Sequence, residues 1–210
     1  LPELEVVGIP NGVFGQNCWL LADPATQEAV IVDPGEEPER FLGELRDRGW
    51  RLTGIWLTHA HIDHVLGVAA VHAATRAPIH LHAGDRSLYE GLPQQAQWFG
   101  LSASPPPPVT RWLSQDQVLS AGRYRFTVRH VPGHSPGHVA FVGQGLIVGG
   151  DVLFAGSIGR TDLPGGSMEE LEASIRREFY TLPDDTRVLT GHGPETTIGE
   201  ERRTNPFVRG

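Results

Sequence analysis

Within seven residues, Thr58-His59-Ala60-His61-Ile62-Asp63-His64, the chain carries three imidazoles and one carboxylate. These are the side chains that bind divalent cations, and they follow an apolar run, Ile55-Trp56-Leu57, that reads as a buried strand. An isolated H-x-H on a strand is usually a surface pairing with no ligand. H-x-H-x-D-H is more restrictive, because an adjacent Asp and His pack poorly unless something pairs with them. In an extended backbone alternate side chains share a direction, so His59, His61 and Asp63 are expected to converge while His64 turns away. One catalytic ion takes about four ligands and keeps a position open. Four donors in one loop therefore point to two neighbouring ions, with more ligands arriving from elsewhere.

Three later positions share a feature with this loop, since each follows directly on a strand-like run. His134 comes after Phe126 to Val131, in Pro132-Gly133-His134. Asp151 comes after Leu146 to Val148, in Gly149-Gly150-Asp151, and His192 after Val188-Leu189-Thr190, in Gly191-His192-Gly193. Strand ends can be gathered on one edge of a sandwich, where rigid elements fix the ligands and glycines let backbones approach. The donors are then His59, His61, Asp63, His64, His134, Asp151 and His192, the number needed by two ions with three terminal ligands each and one shared carboxylate. His138 is expected to pack against or orient a neighbour. His72, His80, His82 and His130 read as ordinary surface or core histidines.

The elements that must position these residues are short strands with a few helices. Leu4 to Ile9, Cys18 to Leu21 and Ala29 to Val32 read as strands separated by Gly- and Asp-Pro-bearing turns. Pro38 opens a helix that Gly49 caps. Leu52 to Thr58 is the strand before the metal loop, and Val65 to Thr75 a helix with Gly67 and Ala70 allowing close packing. Ile79 to His82 is a strand and Ala83 to Leu92 a helix. Gln94 to Pro108 is expected to be a loop, ending in four prolines, that acts as a flap over the site. Tyr124 to Val131, Val139 to Val142, Leu146 to Val148 and Arg187 to Thr190 are strands, and Ser167 with Glu170 forms a capping box for a helix burying Leu171, Ile175 and Phe179. Two β-sheets face to face with helices outside, an α/β four-layer αββα sandwich forming one domain over residues 1–210, fit this order.

Bulk composition narrows the function classes. The formal charge of −8 and the lack of any basic cluster argue against a nucleic-acid partner. No apolar run approaches the roughly 18 residues that would span a bilayer, and no leader is visible, so neither membrane nor export is expected. All 17 basic residues are Arg, which removes lysine as nucleophile, Schiff base or phosphate ligand. Cys18 is the only cysteine; it is expected to be a buried, inert thiol in a reducing cytoplasm. Oligomeric state is not legible.

Taken together, Asn17-Cys18-Trp19-Leu20, Val32-Asp33-Pro34-Gly35, the Thr58–His64 loop, Gly191-His192-Gly193-Pro194 and Thr204-Asn205-Pro206-Phe207 resemble the metallo-β-lactamase-fold superfamily, most closely its short glyoxalase II-like branch. The resemblance implies that His59, His61 and His134 hold one ion, that Asp63, His64 and His192 hold a second, and that Asp151 bridges them. It implies two divalent ions, zinc first, with iron or manganese as alternatives. The implied chemistry is hydrolysis of a hydroxyacyl-thiol ester, lactoylglutathione-like, to a hydroxy acid and free thiol. A hydroxide between the ions attacks the carbonyl, with Asp63 and Asp151 as the catalytic carboxylates. A small-molecule thioester is the expected partner. Asp151 argues against a true β-lactamase, a class that generally lacks the bridging carboxylate. Glyoxalase II carries a C-terminal helical domain for glutathione, whereas this chain ends 18 residues after His192. It carries Gly159-Arg160-Thr161-Asp162 where that family has its glutathione contacts. Arg160 with Asp162 is a candidate substrate contact or a simple surface pair. Persulfide dioxygenases share Gly-Arg-Thr-Asp and use one iron on the equivalents of His59, His134 and Asp151; an oxidoreductase of that kind is the principal alternative. A nuclease of the same fold is the lesser one.

Overall fold

The computed structural model of the chain describes residues 3–210. One six-stranded sheet runs in the order β1 (Glu5–Asn11), β2 (Gln16–Asp23), β3 (Glu28–Val32), β4 (Arg51–Trp56), β5 (Ile79–His82) and β6 (Arg111–Leu113). Its first three strands pair antiparallel and the rest are parallel. The parallel pairs are reached by crossovers, α1 (Pro38–Arg48) between β3 and β4, then α2 (Ile62–Val65) and α3 (Val68–Thr75) before β5. The second sheet is built from β7 (Val118–Ala121), β8 (Tyr124–His130), β9 (Val139–Gly143) and β10 (Leu146–Gly150). A small hairpin, β11 (Leu153–Phe154) and β12 (Ser157–Ile158), precedes β13 (Arg187–Thr190) and β14 (Thr196–Thr197), and the spatial order is β14-β13-β10-β9-β8-β7.

Side-chain alternation along these strands separates three apolar cores, which is what four layers require. On β2, Cys18, Leu20 and Ala22 face the helices α1 and α3, while Trp19 and Leu21 face the other sheet. Ala29 and Ile31 of β3 point outward in the same way, and Val30 and Val32 point inward. In the second sheet Val139, Phe141 and Val148 join the inter-sheet core. Ala140, Ile147 and Val188 instead pack under α6 (Met168–Ser174) and α7 (Ile198–Thr204). Each fully buried aromatic in these layers, Phe41, Phe126, Phe141 and Phe179 among them, contributes about 1.5–3 kcal/mol by leaving water.

The expected four-layer sandwich is therefore the observed one, and several local expectations hold with it. Gly49 caps α1 at φ +68°, its N–H bonded to Arg46 O. Ser167 Oγ accepts the Glu170 N–H at 3.3 Å, and Leu171, Ile175 and Phe179 are buried. Other expectations are corrected. The helix placed over Val65 to Thr75 is two helices broken at Gly67, where a Cβ would meet Gly35 O at 2.4 Å; Ala70 is exposed. Ala83 to Leu92 is a 3-10 turn followed by α4 (Arg86–Glu90), and the expected loop at Gln94 begins as α5 (Leu92–Trp98). Pro93 lies in the first turn of α5, where proline costs no hydrogen bond, so the helix restarts after Gly91. The proline run lies against the helical layer, with Tyr89 Oη donating to Pro107 O at 2.9 Å.

Candidate metal centre

Strand β4 ends at Trp56, and two bonds fix the chain as it leaves. Thr58 N donates to Asp33 Oδ1 at 2.7 Å, and Thr58 Oγ1 to Asp33 Oδ2 at 2.6 Å. The backbone is still extended at His61 (φ −69°, ψ 151°) and turns helical at Ile62. His59 and His61 consequently share a direction, as alternation requires, and meet His134. Asp63 does not join them. Helical rotation of about 100° per residue swings it round with His64, and both meet His192 instead. The expected convergence of Asp63 with His59 and His61, and the divergence of His64, are overturned by that change of backbone.

All seven donors lie at one rim. His59 Nε2 is 3.2 Å and His61 Nδ1 2.8 Å from His134 Nε2. Asp63 Oδ2 is 3.0 Å from His192 Nε2 and 3.5 Å from His64 Nε2. Asp151 stands between the groups: Oδ1 is 3.3 Å from His64 Nε2, and Oδ2 is 3.5 Å from His134 Nε2 and 3.4 Å from His192 Nε2. Ligands about 2.0–2.1 Å from a zinc-sized ion at tetrahedral corners stand about 3.3 Å apart, so these spacings are those of coordination edges. The buried His64 Nε2 and Asp151 Oδ1 have no hydrogen-bond partner, a loss of about 1–3 kcal/mol each that a cation would remove. Residues and donor chemistry fit a pair of divalent ions.

Electrostatics agree. Burial, then the neighbouring His64 and His138, holds His59 neutral, and burial with His134 pushes His61 down to about 3. Burial opposes charge on His64 and His192 too, but there Asp151 and Asp63 prevail. His64 is raised and His192 reaches about 9. Asp63 and Asp151 stay ionised because His64 and His192 outweigh their burial. Protons on His64 and His192 compete with cations for these positions.

Four of the imidazoles are aimed through their other nitrogen. His64 Nδ1 meets Asp33 Oδ2 at 2.9 Å, His134 Nδ1 meets Arg160 O at 2.8 Å, His192 Nδ1 meets Phe14 O at 3.2 Å, and His59 Nδ1 meets Thr58 Oγ1 at 3.0 Å. Such bonds select the tautomer and turn Nε2 inward. His138 behaves as expected. It is buried, stacks on His59 with ring centroids 4.6 Å apart, and its Nε2 accepts the Asp151 N–H at 3.1 Å.

Two supporting residues escaped sequence reasoning. Asp33 stood out only within a turn motif. Asp85 was not singled out at all, yet it is buried and accepts from Ala60 N (2.9 Å), Ser135 Oγ (2.7 Å) and Gly137 N (2.6 Å), tying the two ligand loops together. A charged residue after the short strand Ile79 to His82 was the available signal. Gly191 is also required: a Cβ there would stand 2.0 Å from Asp151 Oδ1.

A cleft of about 400 Å³ opens onto the rim beside His61, Asp63, His134, Asp151 and His192. Arg160 lines it, but Asp162 does not. The Arg160 Nε and Nη2 donate to the two Asp162 oxygens at 2.7 and 2.8 Å, which holds the Asp162 carboxyl at about 2. Both side chains are largely exposed. Of the expected flap, Gln95, Trp98 and Phe99 reach the cleft.

Known proteins resemble this chain along almost its full length. Hydroxyacylglutathione hydrolase GloC of Haemophilus influenzae is 41% identical over 206 residues, covering 95% of this chain and 96% of the relative. Among solved structures, BLEG-1 B3 metallo-beta-lactamase superposes with a TM-score of 0.92 at 38% identity, covering 98% of this chain and all of that one. TTHA1623 in a di-iron-bound form superposes with a TM-score of 0.89 at 43% identity, covering 97% and 100%. The family model of the metallo-beta-lactamase superfamily matches residues 11–192. With this fold, this match and these donor clusters, the chain belongs to the metallo-beta-lactamase superfamily, a fold that implies divalent metal ions.

Proposed function

We propose that the protein is a binuclear metal-dependent hydrolase of thioesters, acting on a hydroxyacyl-thiol ester to give a hydroxy acid and a free thiol. One observation carries this reading: Asp151 offers one oxygen to His64 and the other to His134 and His192, so a single carboxylate serves both donor groups. The name of the Haemophilus influenzae relative supports the substrate class. The di-iron form of TTHA1623 supports two ions and puts iron beside zinc as the metal.

Two divalent ions held here would supply an activated water, its pKa brought from 15.7 towards about 7, and a Lewis-acid contact for the acyl oxygen. The chain's own residues do the rest. His59, His61 and His134 fix one position, and Asp63, His64 and His192 the other. Asp63 lines the cleft, its Oδ2 3.0 Å from His192 Nε2, and would orient the attacking water. Asp33 and Thr58 hold His64 and His59 in register through the reaction. The thiol, with an ordinary pKa of about 8.5, leaves as thiolate without a dedicated acid. Arg160 has spent its bidentate edge on Asp162, so a substrate carboxylate meets it only by displacing that partner.

The test is elemental analysis of the purified protein with a panel containing S-lactoylglutathione, other lactoyl thioesters and a β-lactam. The expected result is two ions per chain and thioester turnover that Asp151→Ala lowers on the order of 10³-fold. Equal activity in the variant, or preferential β-lactam hydrolysis, sinks the assignment. Oxygen consumption with a glutathione persulfide would replace it by the dioxygenase alternative.

A further inference from the structure

The approach to the metal rim is largely apolar, with Gln95 and Ser157 as its neutral polar members. Phe14, Trp98, Phe99, Phe154, Ile158 and Leu163 surround the approach, and Arg160 is the only Arg among its described lining residues. The sequence contains no lysine to add a cation, and Arg160 is already neutralised by Asp162 at 2.7 and 2.8 Å. The acidic groups that remain on the lining, Asp63 and Asp151, belong to the rim.

Two of these aromatics lie partly in water beside the site. Trp98 is 61% and Phe99 48% exposed, at the end of α5, although most large apolar side chains of the chain are in one of the three cores. The Phe99 ring meets that of Phe14 edge to face with centroids 5.3 Å apart, so the β1–β2 turn and the end of α5 form one aromatic lip. Apolar area held in water beside a polar reaction centre is stabilised when a ligand covers it.

Glutathione brings two carboxylates and an ammonium group. Placing them along this lip would desolvate charges where, away from the metal rim, the described lining offers no cationic side chain but Arg160, already paired with Asp162; that is unfavourable unless each charge finds a partner. An alkyl or aryl group meets no such cost and gains the aromatic contact. Resting on the hydrolase reading above, we propose that the sulfur-bearing half of the substrate is uncharged and apolar, an alkyl or aryl thiol, selected by Trp98, Phe99 and Phe14. In the step itself the acyl carbon gains the oxygen of water and the C–S bond breaks. Sulfur leaves with the bonding pair, and the products are a carboxylate, the thiol and one proton.

The experiment compares kcat/KM of the zinc-loaded full chain for the S-lactoyl esters of butanethiol and of glutathione. A preference for the butyl ester of about tenfold or more is expected, the discrimination that one or two buried methylenes supply. Trp98→Ala should reduce that ratio through KM. Trp112→Ala, which removes an exposed tryptophan outside the cleft, should leave it in place. Equal or better turnover of the glutathione ester, or a ratio indifferent to Trp98→Ala, overturns the inference. If neither ester is hydrolysed, the hydrolase reading fails, and binding still decides the vestibule. Calorimetry with the inert S-butyl and S-glutathionyl thioethers of hydroxyacetone should then show tighter binding of the butyl compound; equal or tighter binding of the glutathione compound refutes it.

Discussion

The two sheets have six strands each, yet they deliver metal donors by different means. The first sheet places four donors, His59 to His64, in one loop after β4. Their arrangement is decided locally, by an extended stretch that becomes helical at Ile62. The second contributes one donor from each of three loops, after β8, β10 and β13, and there strand pairing sets the geometry. Parallel β10 and β13 end side by side, with Gly191 N bonded to Gly150 O at 2.8 Å, which brings Asp151 and His192 together. A local cluster can be tuned one residue at a time, whereas a dispersed set depends on ties between sheets.

Removing the residue both halves share should have the largest effect. Asp151→Ala is expected to lower thioester turnover on the order of 10³-fold, several kcal/mol of lost stabilisation, and to lower metal content below two per chain. Elemental analysis and single-substrate kinetics check it.

Next comes a change confined to the first half. Asp33→Asn removes an oxygen that accepts from both His64 Nδ1 and Thr58 Oγ1. Metal affinity should fall about 10–100-fold, read by competition with a chelating dye, while the unfolding midpoint moves little.

Asp85→Ala should do the reverse. It strands the Ala60 and Gly137 N–H groups and the Ser135 hydroxyl in a buried place, each at about 1–3 kcal/mol where no water replaces the carboxylate. A destabilisation of about 3 kcal/mol in denaturant melts is expected, with both donor groups loosened together. If Asp33→Asn proves the more destabilising to the fold, local and dispersed delivery are not distinct.

The smallest effect concerns a tie remote from the metal rim. Asp23, buried at the end of β2, accepts from Arg123 Nε and Nη2 at 2.7 and 2.8 Å, and chiefly through that bond its carboxyl is held well below the usual range. A depressed folded value means that the stabilisation is present above the unfolded carboxylate pKa of about 3.9 and is lost as pH falls through the folded one. Melting curves of wild type and Asp23→Asn should differ at neutral pH and draw together in acid. A gap that stays constant with pH would show that charge has no part in joining the sheets there.

What the sequence disclosed follows the same division. His59, His61, Asp63 and His64 announce themselves because four donors stand together. His134, Asp151 and His192 were legible because each follows an apolar run and has glycine on the approach. Asp33 and Asp85 gave weaker signals, since their partners lie 25 to 52 residues away and a lone Asp after a strand looks like any turn residue. The short strands β6, β7 and β14 escaped for a related cause: two to four residues carry too little alternation, and only a neighbouring strand makes them sheet. The path of residues 58–64 failed at one point, where a helical turn of four residues reversed the direction assigned to Asp63 and His64.

Asn17 donates to Thr190 O and Gly193 O, and Phe14 O receives His192, contacts spanning 173 to 178 positions. The opening hairpin and the final donor therefore close on each other like a clasp. During synthesis the loop at 59–64 waits, donors in hand, until residue 193 has been made, and captured ions would fasten the loop after β4 to the loop after β13.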